Sequence, residues 1–186
     1  MAISQEQQTK ETLFKKGGSV RTGFFLEPGF HLSSAGNAGF GSISFRGGAV
    51  FNDRLSLGAI YQASVNDFRP EGFQWPNGDL DYRAAGLFLE YTVFSGKLIH
   101  ATFPLIIGGG ELDADSESDD LFEDIWGERN FILFEPGARL EINVSQNIRF
   151  NIGGSWRFTS AFNFWGVNQG AFMGPVATVG IKVGLF

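Results

Sequence analysis

A six-residue pattern occurs twice, as Phe24-Phe25-Leu26-Glu27-Pro28-Gly29 and as Ile132-Leu133-Phe134-Glu135-Pro136-Gly137, and each copy carries one glutamate. Two carboxylates held roughly 5 to 10 Å apart could share acid and base work in cleaving a glycosidic bond. Their neighbours point elsewhere. Glu27, Glu90, Glu135 and Glu141 fall on one alternation phase with Arg21, Arg46, Arg139, Arg149, Arg157 and Lys182. Buried charges require partners, so four acids and six bases on one face are expected to form a salt-bridged interior and not a catalytic pair.

A second candidate is the run Glu111, Asp113, Asp115, Glu117, Asp119, Asp120, Glu123, Asp124 and Glu128, nine of the chain's twenty acids with no base between them. Asp113, Asp115, Glu117 and Asp124 echo positions 1, 3, 5 and 12 of a calcium-binding EF-hand loop. However, Ser118 stands where that loop needs glycine, and the bidentate glutamate is missing. A solvated loop with weak, nonspecific affinity for divalent cations or a basic partner is expected, and neither a built metal site nor a cofactor. Within the run, Leu121, Phe122, Ile125 and Trp126 give one or two helical turns an apolar side. His31 and Ser33 sit two apart on one strand face, and His100 stands alone as lumen filling. With no cysteine and only two histidines, thiolate metal sites and cysteine nucleophiles are excluded.

These residues must be positioned by one domain. The chain has 186 residues, 43% hydrophobic and 15% aromatic, with 26 Gly and 21 Phe. That is too apolar for disorder. A net charge of −6 with scattered Lys and Arg excludes a nucleic-acid surface. No apolar run reaches the 18 or so residues of a transmembrane helix. Residues 1–10 show neither a basic start nor an apolar stretch, so a signal peptide is expected to have been removed.

Hydrophobic alternation has period 2 almost throughout, which reads as strands. Eight are predicted: Ser19–Ser33, Gly39–Phe51, Leu55–Asn66, Leu80–Phe94, Leu98–Glu111, Asn130–Val144, Ile148–Thr159 and Ala171–Phe186. Tight turns at Asn52-Asp53-Arg54, Ser95-Gly96-Lys97 and Ser145-Gln146-Asn147 define one rim. Longer connections at 34–38, 67–79, 112–129 and 160–170 define the other. One face of each strand is uncharged, as in Ile148, Phe150, Ile152, Gly154, Trp156 and Phe158. The opposite phase carries the charges and glycines, among them Gly48, Gly58, Gly86, Gly108 and Gly153, where a narrow lumen has little space. The expected fold is all-β, an eight-stranded antiparallel up-and-down transmembrane β-barrel over residues 19–186, preceded by a polar periplasmic lead at 1–18. The alternative of a soluble lipocalin-like carrier would invert the two faces.

Eight alternating strands, short and long connections in turn, and the terminal Phe186 make the sequence similar to the small OmpA/OmpX-type outer-membrane barrels, over about Ser19–Phe186. The Gly- and Phe-rich style with Leu26-Glu27-Pro28-Gly29 resembles the barrels of Bacteroidota. The resemblance implies a multi-pass protein of the Gram-negative outer membrane, in contact with outer-membrane lipid and lipopolysaccharide. It further implies a terminal Phe186 that is read by the barrel-assembly machinery, and no enzymatic activity. Here Phe186 shares its phase with Lys182, whereas Ala177, Val179, Ile181, Val183 and Leu185 form the apolar set. Function is expected to lie in the long loops, through an envelope protein partner or as an accessory subunit of an envelope complex.

His31 and Ser33, followed by Ser34-Ala35-Gly36-Asn37, also resemble the His-x-Ser-Asn-Ala-Gly signature of outer-membrane lipid A deacylases. That resemblance implies a histidine activating a serine. The asparagine is displaced, the motif lies on strand one where the family has it late, and the phase turns both side chains into the lumen. A hydrogen-bonded rim pair is expected instead. Phe68, Phe73, Trp75, Phe122, Trp126, Phe162, Phe164, Trp165 and Phe172 collect at the long-loop rim, as an interfacial girdle or a docking patch.

Overall fold

The computed structural model describes residues 20–74, 78–116 and 130–186. β1 (Thr22–Ala35), β2 (Ala38–Phe51), β3 (Leu55–Ser64), β4 (Gly78–Val93), β5 (Ile99–Ser116), β6 (Asn130–Asn143) and β7 (Ile148–Thr159) follow one another around a cylinder. A small hairpin of β8 (Asn163–Phe164) and β9 (Val167–Asn168) and one helical turn, α1 (Gln169–Phe172), then precede β10 (Gly174–Leu185). β10 pairs with β7 on one side and closes the barrel on β1 with the other, with Leu26 opposite Val183 and Phe30 opposite Val179. Every long pairing is antiparallel.

The two strand faces are separated as the alternation requires. On β1, Phe24 is 63% and Leu26 71% exposed, whereas Phe25 and Glu27, which alternate with them, are 4% and 3% exposed. The pattern repeats around the wall with Phe45, Leu87, Leu140 and Ile152 outward and Arg46, Phe88, Arg139 and Asn151 inward. An apolar exterior around a charged interior inverts the order of a soluble barrel. A continuous band of this size in water would far exceed the few hundred Å² that soluble monomers tolerate, so this wall faces lipid. The soluble-carrier arrangement is therefore not formed.

One rim carries the tight turns. Asn52 and Asp53 have φ of 51° and 54°, and Arg54 N–H donates to the Phe51 carbonyl at 3.1 Å, closing a three-residue connection between Phe51 and Leu55 with two residues in the left-handed region. The other rim differs from expectation in three places. β1 and β2 run up to a two-residue connection, Gly36-Asn37, because Gly36 adopts φ +59° and lets Ala35 pair with Ala38. β4 and β5 stay paired out to Gly78 opposite Ser116, while the β5–β6 ladder ends at Glu111 opposite Asn130. The hairpin thus projects from Leu112 to Ser116, roughly 17 Å at about 3.4 Å per residue. Finally, α1 takes up Gln169–Phe172, from the end of the expected loop into the predicted strand start at Ala171, so the last strand starts at Gly174.

Two local features shape the wall. A Cβ on Gly48 would stand 2.2 Å from the Leu57 carbonyl oxygen, and one on Gly58 2.1 Å from that of Gly47. The glycines are thus required by close approach of the paired backbones, which sets the curvature, and not by a shortage of lumen volume. Proline removes a ladder donor. The β1–β10 ladder lapses between Leu26 and Gly29, around Pro28, and the β6–β7 ladder lapses between Phe134 and Gly137, around Pro136.

Candidate functional site

The charged residues of the inner wall meet near the barrel axis because alternate positions of β1, β2, β4, β6, β7 and β10 all point there. Arg46 grips Glu27 with both ends of its guanidinium, Nε and Nη2 donating to Oε1 and Oε2 at 2.7 Å each, and Nη2 also donates to Glu90 Oε2 at 2.7 Å. Arg139 Nη1 donates to Glu27 Oε1 at 3.0 Å. Lys182 Nζ donates to Glu90 Oε1 at 2.8 Å and Glu141 Oε2 at 2.6 Å. Glu141 Oε1 also accepts from Arg149 Nη1 at 3.2 Å and lies 2.9 Å from His100 Nε2. Three glutamates, three arginines, a lysine and His100 thus form one connected network, every member of it buried.

Glu135 belongs to a separate cluster nearer the loop rim. It accepts from Ser155 Oγ at 2.5 Å and from Arg157 Nε at 3.2 Å. Arg157 is fully buried, with its guanidinium 4.6 Å from the Tyr82 ring centroid, 5.7 Å from Phe172 and 5.8 Å from Phe40. The aromatic faces supply part of the stabilisation that water would give elsewhere. Above it, α1 lowers Phe172 into the mouth of the barrel, where its ring lies 5.5 to 6.2 Å from those of Phe40, Phe68, Tyr82, Phe131 and Phe162. Gly36 N–H donates to the Ala171 carbonyl at 2.6 Å and holds the turn down. The interior therefore has two layers, a charged network toward the short-turn rim and an aromatic cap under the loops.

Several predicted residues lie elsewhere than expected. Arg21 is not in the lumen; it stands exposed at the short-turn rim and pairs with Asp53, because β1 begins only at Thr22. The glutamates of the repeated motif enter different clusters, so no acid–base pair forms. His31 and Ser33 do not bond to each other. His31 Nε2 lies 2.7 Å from Ser44 Oγ, and Ser33 Oγ accepts from Arg157 Nη1 at 3.4 Å. The buried His31–Ser44 contact was not expected, although Ser44 sits on the inward phase with Arg46. Among the described residues His31 Nδ1 has no hydrogen-bond partner and no carboxylate bonds to the ring, so the relay that activates a serine is not formed there.

The rim aromatics Phe68, Phe73, Phe162, Phe164 and Phe172 are all buried, forming the cap and its surround and not a lipid-facing girdle. Trp165, the one rim tryptophan among the described residues, is exposed on a hairpin turn with φ +47°. Phe186 turns inward, as its phase implies, with its ring centroid 3.6 Å from the Arg149 guanidinium. Asp113 and the backbone of Asp115 lie on the projecting part of β5, opposite Asp81 and Asp79. Glu117, Asp119, Asp120, Leu121, Phe122, Glu123, Asp124, Ile125, Trp126 and Glu128 lie outside the described residues, as do Trp75 and the lead at 1–18. Among the described residues no cluster of His, Asp or Glu has the arrangement of a metal site.

No known family profile matches the sequence, and no curated protein does. Solved structures do match in fold. Neisserial surface protein A superposes with a TM-score of 0.63 at 14% identity over 89% of this chain and 99% of its own. The outer-membrane protein OprG of Pseudomonas aeruginosa gives 0.60 at 11% identity, over 90% of this chain and 98% of its own. The N-terminal barrel domain of OprF from the same organism gives 0.52 at 11%, over 90% and 100%. The fold is thus that of the small eight-stranded outer-membrane barrels.

Proposed function

We propose that this chain is an integral protein of the Gram-negative outer membrane whose closed interior is structural and whose loop-side surface docks a protein partner. The observation that carries this reading is the interior itself. The charged network and the aromatic cap occupy the axis at two heights, which leaves the wall for lipid and the loops for recognition. On this reading outer-membrane lipid and lipopolysaccharide surround the exposed apolar band. The barrel-assembly machinery reads Phe186 in the unfolded chain, before the ring settles on Arg149. The projecting β4–β5 hairpin and the loops joined to it carry the partner site, as in an accessory subunit of an envelope complex. Leu26-Glu27-Pro28-Gly29 and its repeat favour a Bacteroidota-type source.

Cross-linking in native outer membranes, followed by purification of the intact chain, tests the docking reading. A stoichiometric envelope protein linked through residues of the loop side is expected. Links confined to the lipid-facing wall, or a chain recovered alone at every cross-linker length, would refute it. Planar-bilayer recording tests closure: no stable conductance is expected, and reproducible single-channel steps from pure protein would show an open path.

A further inference from the structure

The lipid-facing wall is indented near the loop rim. On β4 and β5 the outward positions Leu87, Leu89, Tyr91, Phe103 and Ile107 are bulky and exposed. One step further toward the loops the outward row is Tyr61, Ala85 and Gly109, paired in register across β3, β4 and β5. A groove of about 480 Å³ opens over this row, bordered by Arg83, Glu111 and Asn130 of the next. Gly109 is not a glycine that the wall needs. A Cβ on its neighbour Gly108 would stand 2.2 Å from the Ala85 carbonyl oxygen, whereas one on Gly109 meets nothing closer than the Phe131 carbonyl oxygen at 3.6 Å. The fold therefore tolerates a side chain at 109, and its absence keeps the floor of the groove open.

The depth of the groove decides what can reach it. Arg83 stands ten residues above Val93 on β4, which at about 3.4 Å per residue and a tilt of about 40° is roughly 26 Å along the membrane normal. The apolar band of such barrels is about 25 Å tall, so Arg83 and Glu111 lie where acyl chains end and headgroups begin. The two are directly opposite on β4 and β5, yet among the described residues neither side chain forms an ion pair or a hydrogen bond. Opposite charges so placed ordinarily stabilise each other by pairing. Left apart at the edge of lipid, they present one positive and one negative site side by side. Toward the loops Asp81 and Asp113 form the next outward pair, so a purely anionic ligand would be repelled.

We infer that this groove binds the headgroup of a phosphoethanolamine lipid, with the phosphate on Arg83, the ammonium on Glu111, and an acyl chain laid over Ala85 and Gly109. The guanidinium matches a phosphate with two parallel N–H donors. The ammonium, a short ethylene arm away, donates to the carboxylate across the about 5 Å that separates opposed residues of neighbouring strands. A glycerol headgroup would set its phosphate beside Glu111 with no cation to offset it, and a choline headgroup has no N–H to donate. Tyr61 borders the groove at the edge of the apolar band, the level at which an aromatic ring meets the chain and its hydroxyl meets the headgroups. The site rests only on the wall facing lipid, and not on the docking reading of the loops.

Native mass spectrometry reads the retained lipid directly. The full chain is released from detergent micelles doped with equal amounts of phosphatidylethanolamine, phosphatidylcholine and phosphatidylglycerol. One phosphatidylethanolamine per chain is expected, favoured about tenfold over the other two, as one charge-assisted hydrogen bond implies. Gly109→Leu should remove the adduct from a barrel that still shifts on boiling. Glu111→Gln should keep binding but level the three lipids, and Arg83→Gln should lose them all; both are surface changes that test the site even if Gly109→Leu fails to fold. Equal retention by the unsubstituted chain, a preference for phosphatidylglycerol, or an adduct that survives Arg83→Gln would overturn the inference. So would a dimer mass that Gly109→Leu abolishes, because it would assign the groove to a second copy. A chain with no gel shift in lipid would instead refute the membrane placement of the wall, and the site with it.

Discussion

Replacing Glu135 by leucine isolates the cost of stranding one buried cation. Arg157 is fully buried and has Glu135 Oε2 at 3.2 Å as its carboxylate. What remains after the substitution is Ser33 Oγ at 3.4 Å and the surrounding rings, and its Nη2 already lacks a partner. Breaking a buried pair by removing one member costs about 3 to 5 kcal/mol, whereas replacing both members by apolar residues of similar volume is often close to neutral. Glu135→Leu is therefore expected to lose about 3 to 5 kcal/mol, and Glu135→Leu with Arg157→Met to recover most of it. Glu90→Gln is the internal control. Arg46 keeps both bonds to Glu27 at 2.7 Å and Lys182 keeps Glu141 at 2.6 Å, so a loss of about 1 to 3 kcal/mol is expected there. The assay is urea unfolding of the barrel in lipid vesicles, read by the mobility difference of boiled and unboiled samples. With a slope near 3 kcal/mol per molar, the single variant moves the midpoint down by about 1 to 2 M. A midpoint within about 0.3 M of the unsubstituted protein, or a double variant no more stable than the single, would refute the pairing argument.

The outward apolar phase predicts that the protein is monodisperse only with detergent or lipid, and monomeric solubility in plain buffer would contradict it. Leu26→Arg or Leu87→Arg on that face should cost about 2 to 4 kcal/mol near the bilayer midplane, measured in the same urea assay. Gly48→Val should prevent the boiling-sensitive gel shift altogether, because its Cβ would stand 2.2 Å from the Leu57 carbonyl oxygen; a normally folded variant would remove the curvature argument. Calcium titration followed by Trp126 fluorescence should give a weak, non-saturating response, and deletion of residues 117–124 should leave the barrel folded. A stoichiometric micromolar response would instead indicate a built calcium site.

The barrel was legible because a strand between lipid and a filled lumen has two chemically different faces, and the period-2 pattern of residues such as Ile148 to Thr159 records both. The same pattern lost its meaning where strands gave way to loops. Phe68, Phe162 and Phe172 were correctly placed at the rim, but composition cannot tell a ring turned to lipid from one folded back over the mouth. Only the descent of α1 decides it. Arg21 was on the right phase yet one residue before β1 begins, so it meets Asp53 at the surface. The acidic run hid the continuation of β4 and β5, because rows of aspartates read as loop, although Leu80, Tyr82 and Leu112 on the alternate positions mark the buried side of that hairpin. The charged residues of the interior were visible as a set, but who pairs with whom depends on the barrel's circumference and register, which no local pattern contains.

The separation in sequence of the interior partners bears on how the cylinder forms. Glu27 and Arg139 are 112 positions apart, and Glu90 and Lys182 are 92 apart. Contacts of such high order reward the chain only after the intervening loops have been closed, so folding of this barrel is expected to be slow and limited by zipping of the final seam. That seam, between β1 and β10, is the one whose ladder lapses at Pro28, beside Glu27. Its closure leans on side chains that reach across the axis more than on backbone bonds at that point. A sheet still open, or a ring with a strand too many, would set the same carboxylates and guanidiniums at the wrong distances and leave them uncompensated in lipid. The charges are thus expected to favour the ring of eight over other ways of joining the edges.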